Sequence, residues 1–246
     1  MRTADLKELI SQATSDLFEC TTPEDLIREL EKFTHGLGFT VVSYQLIHPI
    51  GWGEFEGPIV LFSKGYSEEQ LGSYNNSKLY KNDPLFKFAT GTGQVFWWKD
   101  IAQITKLTPE QIRFMDAFVK SGLDDGYSVP TFGPNGRNGY FGIGRGRSDR
   151  FETKQLGQIL QLYCQTLHLR YCGLTHEQNK EVALSSKEKE VMTHVVRGLS
   201  TNQIADMLGV TSNTVNTHLK RVYAKMKVQD RVSATLRFLA SGQMYE

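Results

Sequence analysis

Two sets of residues in this chain have the types and spacing to bind another molecule. The first lies between Thr211 and Met226. Val215, Leu219, Val222 and Met226 recur at intervals of four, three and four, which marks one buried helical stripe. The opposite face carries Asn216, Thr217, Lys220, Arg221 and Lys225, with Thr211 and Asn213 at the start. Amides, hydroxyls and cations along an exposed helix are the groups that meet base edges and phosphates. The second set lies between Gly65 and Asp100. Tyr66, Tyr74, Tyr80, Phe86, Phe88, Phe96, Trp97 and Trp98 alternate there with polar residues, Gln70 and Asp83 among them. Apolar walls with a few fixed polar groups describe a small-molecule site. The same aromatics suit an ordinary core equally well.

The elements around the first set must form a compact helical unit. Ser185 precedes Glu188 by three and Ser200 precedes Gln203 by three, and both are capping-box spacings that open helices. Gly198 separates those helices. A short helix with Ile204, Ala205 and Leu208 ends at the break Gly209-Val210-Thr211-Ser212. A fourth helix is predicted from Arg231 to Ala240, closed by Ser241-Gly242. Four helices in about sixty residues are near the minimum that can hold a core.

This segment resembles the DNA-binding domain of LuxR-type regulators. Leu184, Ser185, Glu188, Gly198, Ile204-Ala205, Thr214-Val215, His218 and Lys225 match that family's pattern in order. The resemblance, with the shared face, implies base contacts from Asn216, Thr217 and Lys220 and phosphate contacts from Arg221 and Lys225. His218 has no second His or Cys at ligand spacing, so a packing or phosphate-side role suits it better than a metal.

The region before it mixes helices and strands. A first helix is predicted from Ala4 to Leu17, with Leu6, Leu9, Ile10, Ala13 and Leu17 on one face. A second starts at Thr22-Pro23-Glu24-Asp25 and ends at Gly36-Leu37-Gly38. Phe39–Ile47 and Ile59–Ser63 read as strands. Thr108-Pro109-Glu110-Gln111 opens a helix carrying Ile112, Met115, Phe118 and Val119. Tyr127–Phe132 and Tyr140–Arg145 read as strands joined by Gly133-Pro134-Asn135-Gly136, and Phe151–Tyr171 as a long helix. The expected class is α+β: an α/β/α sandwich sensor domain followed by an all-α four-helix helix-turn-helix domain.

The sensor region is similar to the autoinducer-binding domain of the quorum-sensing branch of the same family. Tyr66, Tyr74, Asp83-Pro84 and Trp98 hold the branch's spacing without gaps, and Gly126 matches its glycine before the next strand. The branch binds N-acyl homoserine lactones. The resemblance implies that Asp83 accepts the ligand amide N–H, Tyr66 donates to the acyl carbonyl, Trp98 packs on the head group and Tyr74 walls the acyl chain. Phe114, Phe118 and Gly142 complete the expected ligand set. Two alternatives stand beside these roles: Tyr74 as plain core, and Asp83 as a helix cap. Two positions depart from the branch. Its Trp that donates to the lactone carbonyl is Gln70 here, a shorter amide that donates and also accepts. A strand position that often carries a hydroxyl is Gly142. These departures leave open a different head group or a bulkier acyl chain.

Charge divides the chain the same way. Residues 184–246 hold nine Lys/Arg against five Asp/Glu, whereas residues 1–183 hold 19 against 22. A basic tail on a mildly acidic body points to nucleic acid at the tail alone. The modest excess calls for two copies acting on one site. The 246 residues divide into an expected sensor domain over 1–172, a polar linker over 173–183 and a DNA-binding domain over 184–246. There is no run of eighteen apolar residues, and MRTADLKELI is charged where a signal peptide would be apolar. Cys20, Cys164 and Cys172 form no C-x-x-C pattern and read as reduced core thiols of a cytoplasmic protein. The sequence lacks a Gly-x-Ser-x-Gly elbow, a His-Glu-x-x-His motif and a clustered metal set, so no enzyme is expected. Asp124-Asp125 has no Lys pattern of a phospho-accepting receiver, and the glycines around Gly142 lack the Lys-Ser/Thr helix of a phosphate loop. The expected protein is a transcription regulator without a cofactor. Its expected partners are a small-molecule signal, a second copy of itself and double-stranded DNA with a two-fold symmetric site, and no membrane. A ligand-independent regulator, or one sensing a non-lactone signal, is the alternative.

Overall fold

The computed structural model describes residues 3–47, 59–76, 79–123, 125–144, 153–175 and 183–245. The chain divides into two compact units, one built from residues before Thr175 and one mainly from residues after Leu174.

The first unit opens with α1 (Thr3–Glu19) and α2 (Pro23–Gly36). Thr22 caps α2 in a capping box with Asp25, and Pro23 occupies its first turn, as the Thr-Pro-Glu-Asp signal predicts. Five antiparallel strands follow in the order β2-β1-β5-β4-β3, with β1 at Val41–Leu46, β2 at Ile59–Lys64, β3 at Phe96–Trp97, β4 at Gly126–Thr131 and β5 at Gly139–Gly144. Between β2 and β4 come α3 (Glu68–Asn76), α4 (Pro84–Thr92), α5 (Ile101–Ile104) and α6 (Pro109–Lys120). The last helix of the unit is α7 (Thr153–Leu174).

Period-two alternation decides which face of the sheet sees which layer. Val42, Tyr44, Tyr127, Val129, Phe141 and Ile143 point toward α1, α2 and α7, where they join Leu17, Leu26, Leu30, Phe33, Leu156, Leu160 and Tyr163 in one core. Val41 and Tyr140 point the other way, into a second cluster with Leu85, Ala89, Trp98, Ile101 and Leu123. The sheet is therefore sandwiched between helices, as expected. Cys20, Cys164 and Cys172 are free thiols buried in this unit.

Several boundaries differ from those expected. The short β3 and the helices α3 and α5 escape the sequence reading, which treats Gly65–Asp100 as one pocket-lining stretch; of α4 only the start is anticipated, in the alternative that makes Asp83 a helix cap. The β5 end expected at Arg145, the α7 start at Phe151, residue Asp124 and linker residues 176–182 lie outside the described residues, as does the side chain of Leu6.

The second unit holds α8 (Ser186–Val196), α9 (Thr201–Leu208), α10 (Ser212–Met226) and α11 (Arg231–Ser241). Ser185 and Ser200 form the predicted capping boxes with Glu188 and Gln203. Gly209 ends α9 in the left-handed region at φ 65°, which a side chain would strain. Thr211 then caps α10, so the chain turns from α9 into α10 within three residues. Val215, Leu219, Val222 and Met226 are buried against Val191, Met192, Val195, Ile204, Ala234 and Phe238.

Candidate ligand cavity and nucleic-acid interface

The sheet and the layer α3–α6 enclose a cavity of about 750 Å³. Its lining includes every ligand residue expected from sequence: Tyr66, Gln70, Tyr74, Asp83, Trp98, Phe114, Phe118 and Gly142. It also includes residues the sequence reading missed, notably Ser43, Gln45, Ser63, Leu71, Leu85, Arg113 and Tyr140. The signal for Ser43 and Gln45 was available. They alternate with Val42 and Tyr44 along β1, so they face away from the main core.

Asp83 does two jobs at once. Its Oδ1 caps α4 by accepting from the N–H groups of Leu85 at 2.8 Å and Phe86 at 3.2 Å. Its Oδ2 accepts the Tyr74 hydroxyl at 2.9 Å. The capping role weighed from sequence is thus real, and it leaves the second oxygen facing the tyrosine. The residue is buried. Burial pushes the carboxyl up to about 6, against the lowering effect of these three hydrogen bonds. Burial, then the nearby Asp83, pushes the Tyr74 phenol well above its ordinary value. Tyr74 is therefore a fixed donor.

Trp98 is held from behind. Its indole N–H donates to Ser128 Oγ at 3.2 Å, and that hydroxyl lies 2.9 Å from the Tyr140 hydroxyl. A Cβ at Gly126 or Gly144 would fall 2.5 or 2.4 Å from the Trp98 ring, so these strand glycines create the slot for the indole. Phe118 meets Trp98 edge-on with centroids 5.1 Å apart, and Phe114 stacks on Phe118 at 5.9 Å. The three rings form one aromatic patch on the cavity wall.

Gln70 lines the cavity, and its amide is also engaged by the backbone. Its Oε1 accepts from the Ser67 N–H at 2.7 Å, while its own N–H donates to Ser67 Oγ at 3.1 Å. This is a capping box that opens α3. Its amide Nε2 donates to the Ser121 carbonyl at 3.3 Å, tying α3 to the end of α6. Both ends of the amide serve the backbone.

The second unit presents its polar residues on α10. Asn213, Asn216, Thr217, Lys220 and Arg221 are exposed. Thr211 is exposed too, although its hydroxyl caps the helix by accepting from the Thr214 N–H at 3.2 Å. The Thr217 hydroxyl donates to the Asn213 carbonyl at 2.9 Å, leaving its lone pairs outward. Ser212 Oγ donates to Asn202 Oδ1 at 2.8 Å and joins α10 to α9. Three cations of the unit are engaged by groups within it. Arg231 and Arg237 donate to the Leu199 and Met226 carbonyls. Lys225, expected at a phosphate, sits 2.6 Å from Glu188 Oε2 and 3.3 Å from the Ala183 carbonyl. Its ammonium is engaged inside the unit because Glu188 is buried and needs a counter-charge. His218 is partly buried and its Nδ1 has no hydrogen-bond partner among the described residues. Among the described residues no group of His, Cys, Asp and Glu is placed to hold a metal, and no helix is long and apolar enough to cross a membrane.

Residues 22–171 match the model of the autoinducer binding domain, and residues 182–238 match that of the LuxR family of bacterial regulatory proteins. The chain belongs to the LuxR-type regulators with an autoinducer-binding domain. Among curated LuxR-type relatives it is 25% identical to the transcriptional activator protein AhyR of Aeromonas hydrophila over 232 residues, covering 92% of this chain and 88% of that one. It is 24% identical to the quorum-sensing regulator RhlR of Pseudomonas aeruginosa, covering 87% of each. The crystal structure of Escherichia coli SdiA shares the fold with a TM-score of 0.73 at 22% identity, over 96% of this chain and 98% of that one. SdiA in complex with octanoyl-rac-glycerol superposes with a TM-score of 0.74. This LuxR-type chain is therefore a DNA-binding transcriptional regulator of the quorum-sensing type with a small-molecule sensor domain, and not an enzyme.

Proposed function

We propose that this regulator senses an amphiphile with an acyl chain and an amide-bearing head group, an N-acyl homoserine lactone or close analogue. The observation that carries this reading is the buried Asp83 on the wall of a cavity that combines apolar and aromatic side chains with a few polar groups. A carboxylate there gives a charge-assisted acceptor for an amide N–H. Tyr66 supplies a hydroxyl beside Gly142 for the acyl carbonyl, Trp98 packs on the head group, and Tyr74, Phe114 and Phe118 wall the chain. A head group other than the lactone is the second reading. It is favoured by Gln70, whose amide is tied to Ser67 and Ser121 rather than directed at a ligand carbonyl.

On the DNA side, Asn216, Thr217 and Lys220 read bases, and Arg221 contacts phosphate. Thr211 and Asn213 approach the backbone at the start of α10, where the helix dipole favours phosphate. The regulator works in the cytoplasm as a homodimer on a two-fold symmetric site, with a sensor domain over 1–172, a linker over 173–183 and a DNA-binding domain over 184–246.

Two measurements test the reading. Mass spectrometry of small molecules extracted from the purified protein should find an acyl amphiphile. Thermal denaturation against an acyl homoserine lactone panel should show about 2.7 kcal/mol of stabilisation at 100 times the dissociation constant. No extracted amphiphile and no stabilisation by any member would overturn this reading in favour of a ligand-independent regulator or one sensing a non-lactone signal. For assembly, full-length protein should prefer paired half-sites about one DNA turn apart. Equal affinity at every spacing would overturn the two-fold dimer.

A further inference from the structure

The sheet side of the cavity is closed by buried residues, and its exposed lining gathers elsewhere. Ser67, Leu79, Asn82, Glu110, Arg113 and Ala117 are the exposed residues of its described lining. Ser67 stands at a bridged corner. The Gln70 amide that accepts from its N–H also donates to the Ser121 carbonyl and joins α3 to the C-terminal end of α6. The other five border one opening. Glu110, Arg113 and Ala117 are three and four apart on one flank of α6. Leu79 and Asn82 belong to the single helical turn Leu79–Asn82, which packs beside α6.

The two sides of this mouth differ in how they are anchored. Asp83, next to Asn82, is buried, and α4 beyond it keeps Pro84, Leu85 and Ala89 buried. None of the twelve residues of α6 is buried. An element with few buried apolar groups opens at a low free energy. Within itself α6 is firm, because the Thr108 N–H donates to Gln111 Oε1 at 2.9 Å and Thr108 Oγ1 accepts from the Gln111 N–H at 3.3 Å. It therefore moves as a rod. Its C-terminal end is held by the Gln70 bond to Ser121 and by Leu123, which is buried just beyond. The charged pair at the mouth is made within α6, Arg113 Nη2 to Glu110 Oε1 at 2.9 Å, so it ties nothing across the opening.

We propose that this mouth is the way in and out for the ligand and that α6 is its gate. The N-terminal half of α6 swings away from the Leu79–Asn82 turn about the end that Gln70 fixes. This rests on the reading of the cavity as a site for an amphiphile, and not on the identity of the head group. The mouth suits such a ligand. Glu110 and Arg113 cancel in charge, and Leu79 and Ala117 give an acyl chain an apolar edge to cross. Phe114 and Phe118 are partly buried on the cavity side of the same helix. Contact with an acyl chain buries them further, so an occupied cavity holds its own gate shut.

The test follows binding of N-octanoyl homoserine lactone and of octanoyl glycerol to full-length protein by stopped-flow tryptophan fluorescence, with Kd from titration. Either probe suffices for the rates. Thr108→Ala loosens the start of α6 from outside the cavity. It should raise the association and dissociation rates together by roughly fivefold, the factor that corresponds to a lost helix cap, with little change in Kd. Ala117→Leu narrows the mouth and should slow both rates. Amide hydrogen exchange in wild type should be faster in α6 than in α4, and a bound probe should slow it in α6. Unchanged rates in both variants, or a change in dissociation rate alone that tracks Kd, overturns the gate while the cavity reading stands. Binding of neither probe by wild type overturns the cavity reading and the gate with it.

Discussion

The Lys225 ammonium lies 2.6 Å from Glu188 Oε2, and the carboxylate it meets is 4% exposed. The same carboxylate oxygen accepts the Ser185 N–H at 2.7 Å and closes the capping box of α8. Burial pushes the Glu188 carboxyl up, but Lys225 and Ser185 more than offset this and hold it below its ordinary value. The pair therefore joins the end of α10 to the start of α8.

Lys225→Ala should leave a buried carboxylate without its counter-charge. Because the lysine is itself 41% exposed, the cost should be about 1–3 kcal/mol, below that of a fully buried pair. Thermal denaturation followed by the signal of the second unit measures it. The salt slope of DNA binding should be unchanged, whereas loss of a phosphate contact would flatten it by about one unit. An altered slope with unaltered stability would return Lys225 to the phosphate set.

Lys220 and Arg221 are adjacent on α10 and should separate specificity from affinity. Lys220→Ala should erase sequence preference worth roughly 1–3 kcal/mol while leaving the fold intact. Arg221→Ala should weaken cognate and scrambled duplexes alike and flatten the salt slope. Binding assays on both duplexes over a salt series decide it. Full discrimination retained in Lys220→Ala would mean that another face reads the bases.

The slot for Trp98 makes a third prediction. Gly144→Ala places a Cβ 2.4 Å from the indole and 2.7 Å from the Asp125 carbonyl, so neither neighbour can yield cheaply. Overpacking of this kind costs about 1–3 kcal/mol. Denaturation midpoints should fall by that amount, and tryptophan fluorescence should report a displaced Trp98. A variant with unchanged midpoint and emission would show that the slot has slack.

The second unit was the most legible part of the sequence, and the reason is local. Ser185 and Ser200 each place a hydroxyl three residues before a Glu or Gln, and the stripe from Val215 to Met226 has one reading as a buried face. Nothing distant has to be known. The sensor layer was harder. Ser67 and Gln70 carry the same capping-box spacing, yet the aromatic run around them drew the reading toward a pocket and α3 went unrecognised. The partner that fixes the Gln70 amide, the Ser121 carbonyl, is 51 residues away, and no local pattern announces it. Lys225 and Glu188 are 37 residues apart and were obscured for the same reason. Asp83 was legible as a binder and as a cap, and only the positions of Leu85, Phe86 and Tyr74 show how its two oxygens are divided.

The last prediction concerns that division and pH. The Asp83 carboxyl sits at about 6 in the folded state against 3.8 when exposed, because burial outweighs its hydrogen bonds. A raised folded value stabilises the fold fully below the exposed value and loses that contribution as pH rises through about 6. The ligand-free protein should therefore lose on the order of 3 kcal/mol of stability from this group between pH 4 and pH 7, and Asp83→Asn should remove that dependence. Ligand affinity should run the other way. An amide N–H prefers the ionised carboxylate, so binding takes up the deprotonated form and should strengthen as pH rises through 6, then level off. Denaturation and titration calorimetry across this range, on wild type and Asp83→Asn, measure both trends. If wild-type affinity were flat through pH 6 while its stability still fell, Asp83 would be the α4 cap and Tyr74 acceptor alone, and the ligand amide would have to find another partner in the cavity.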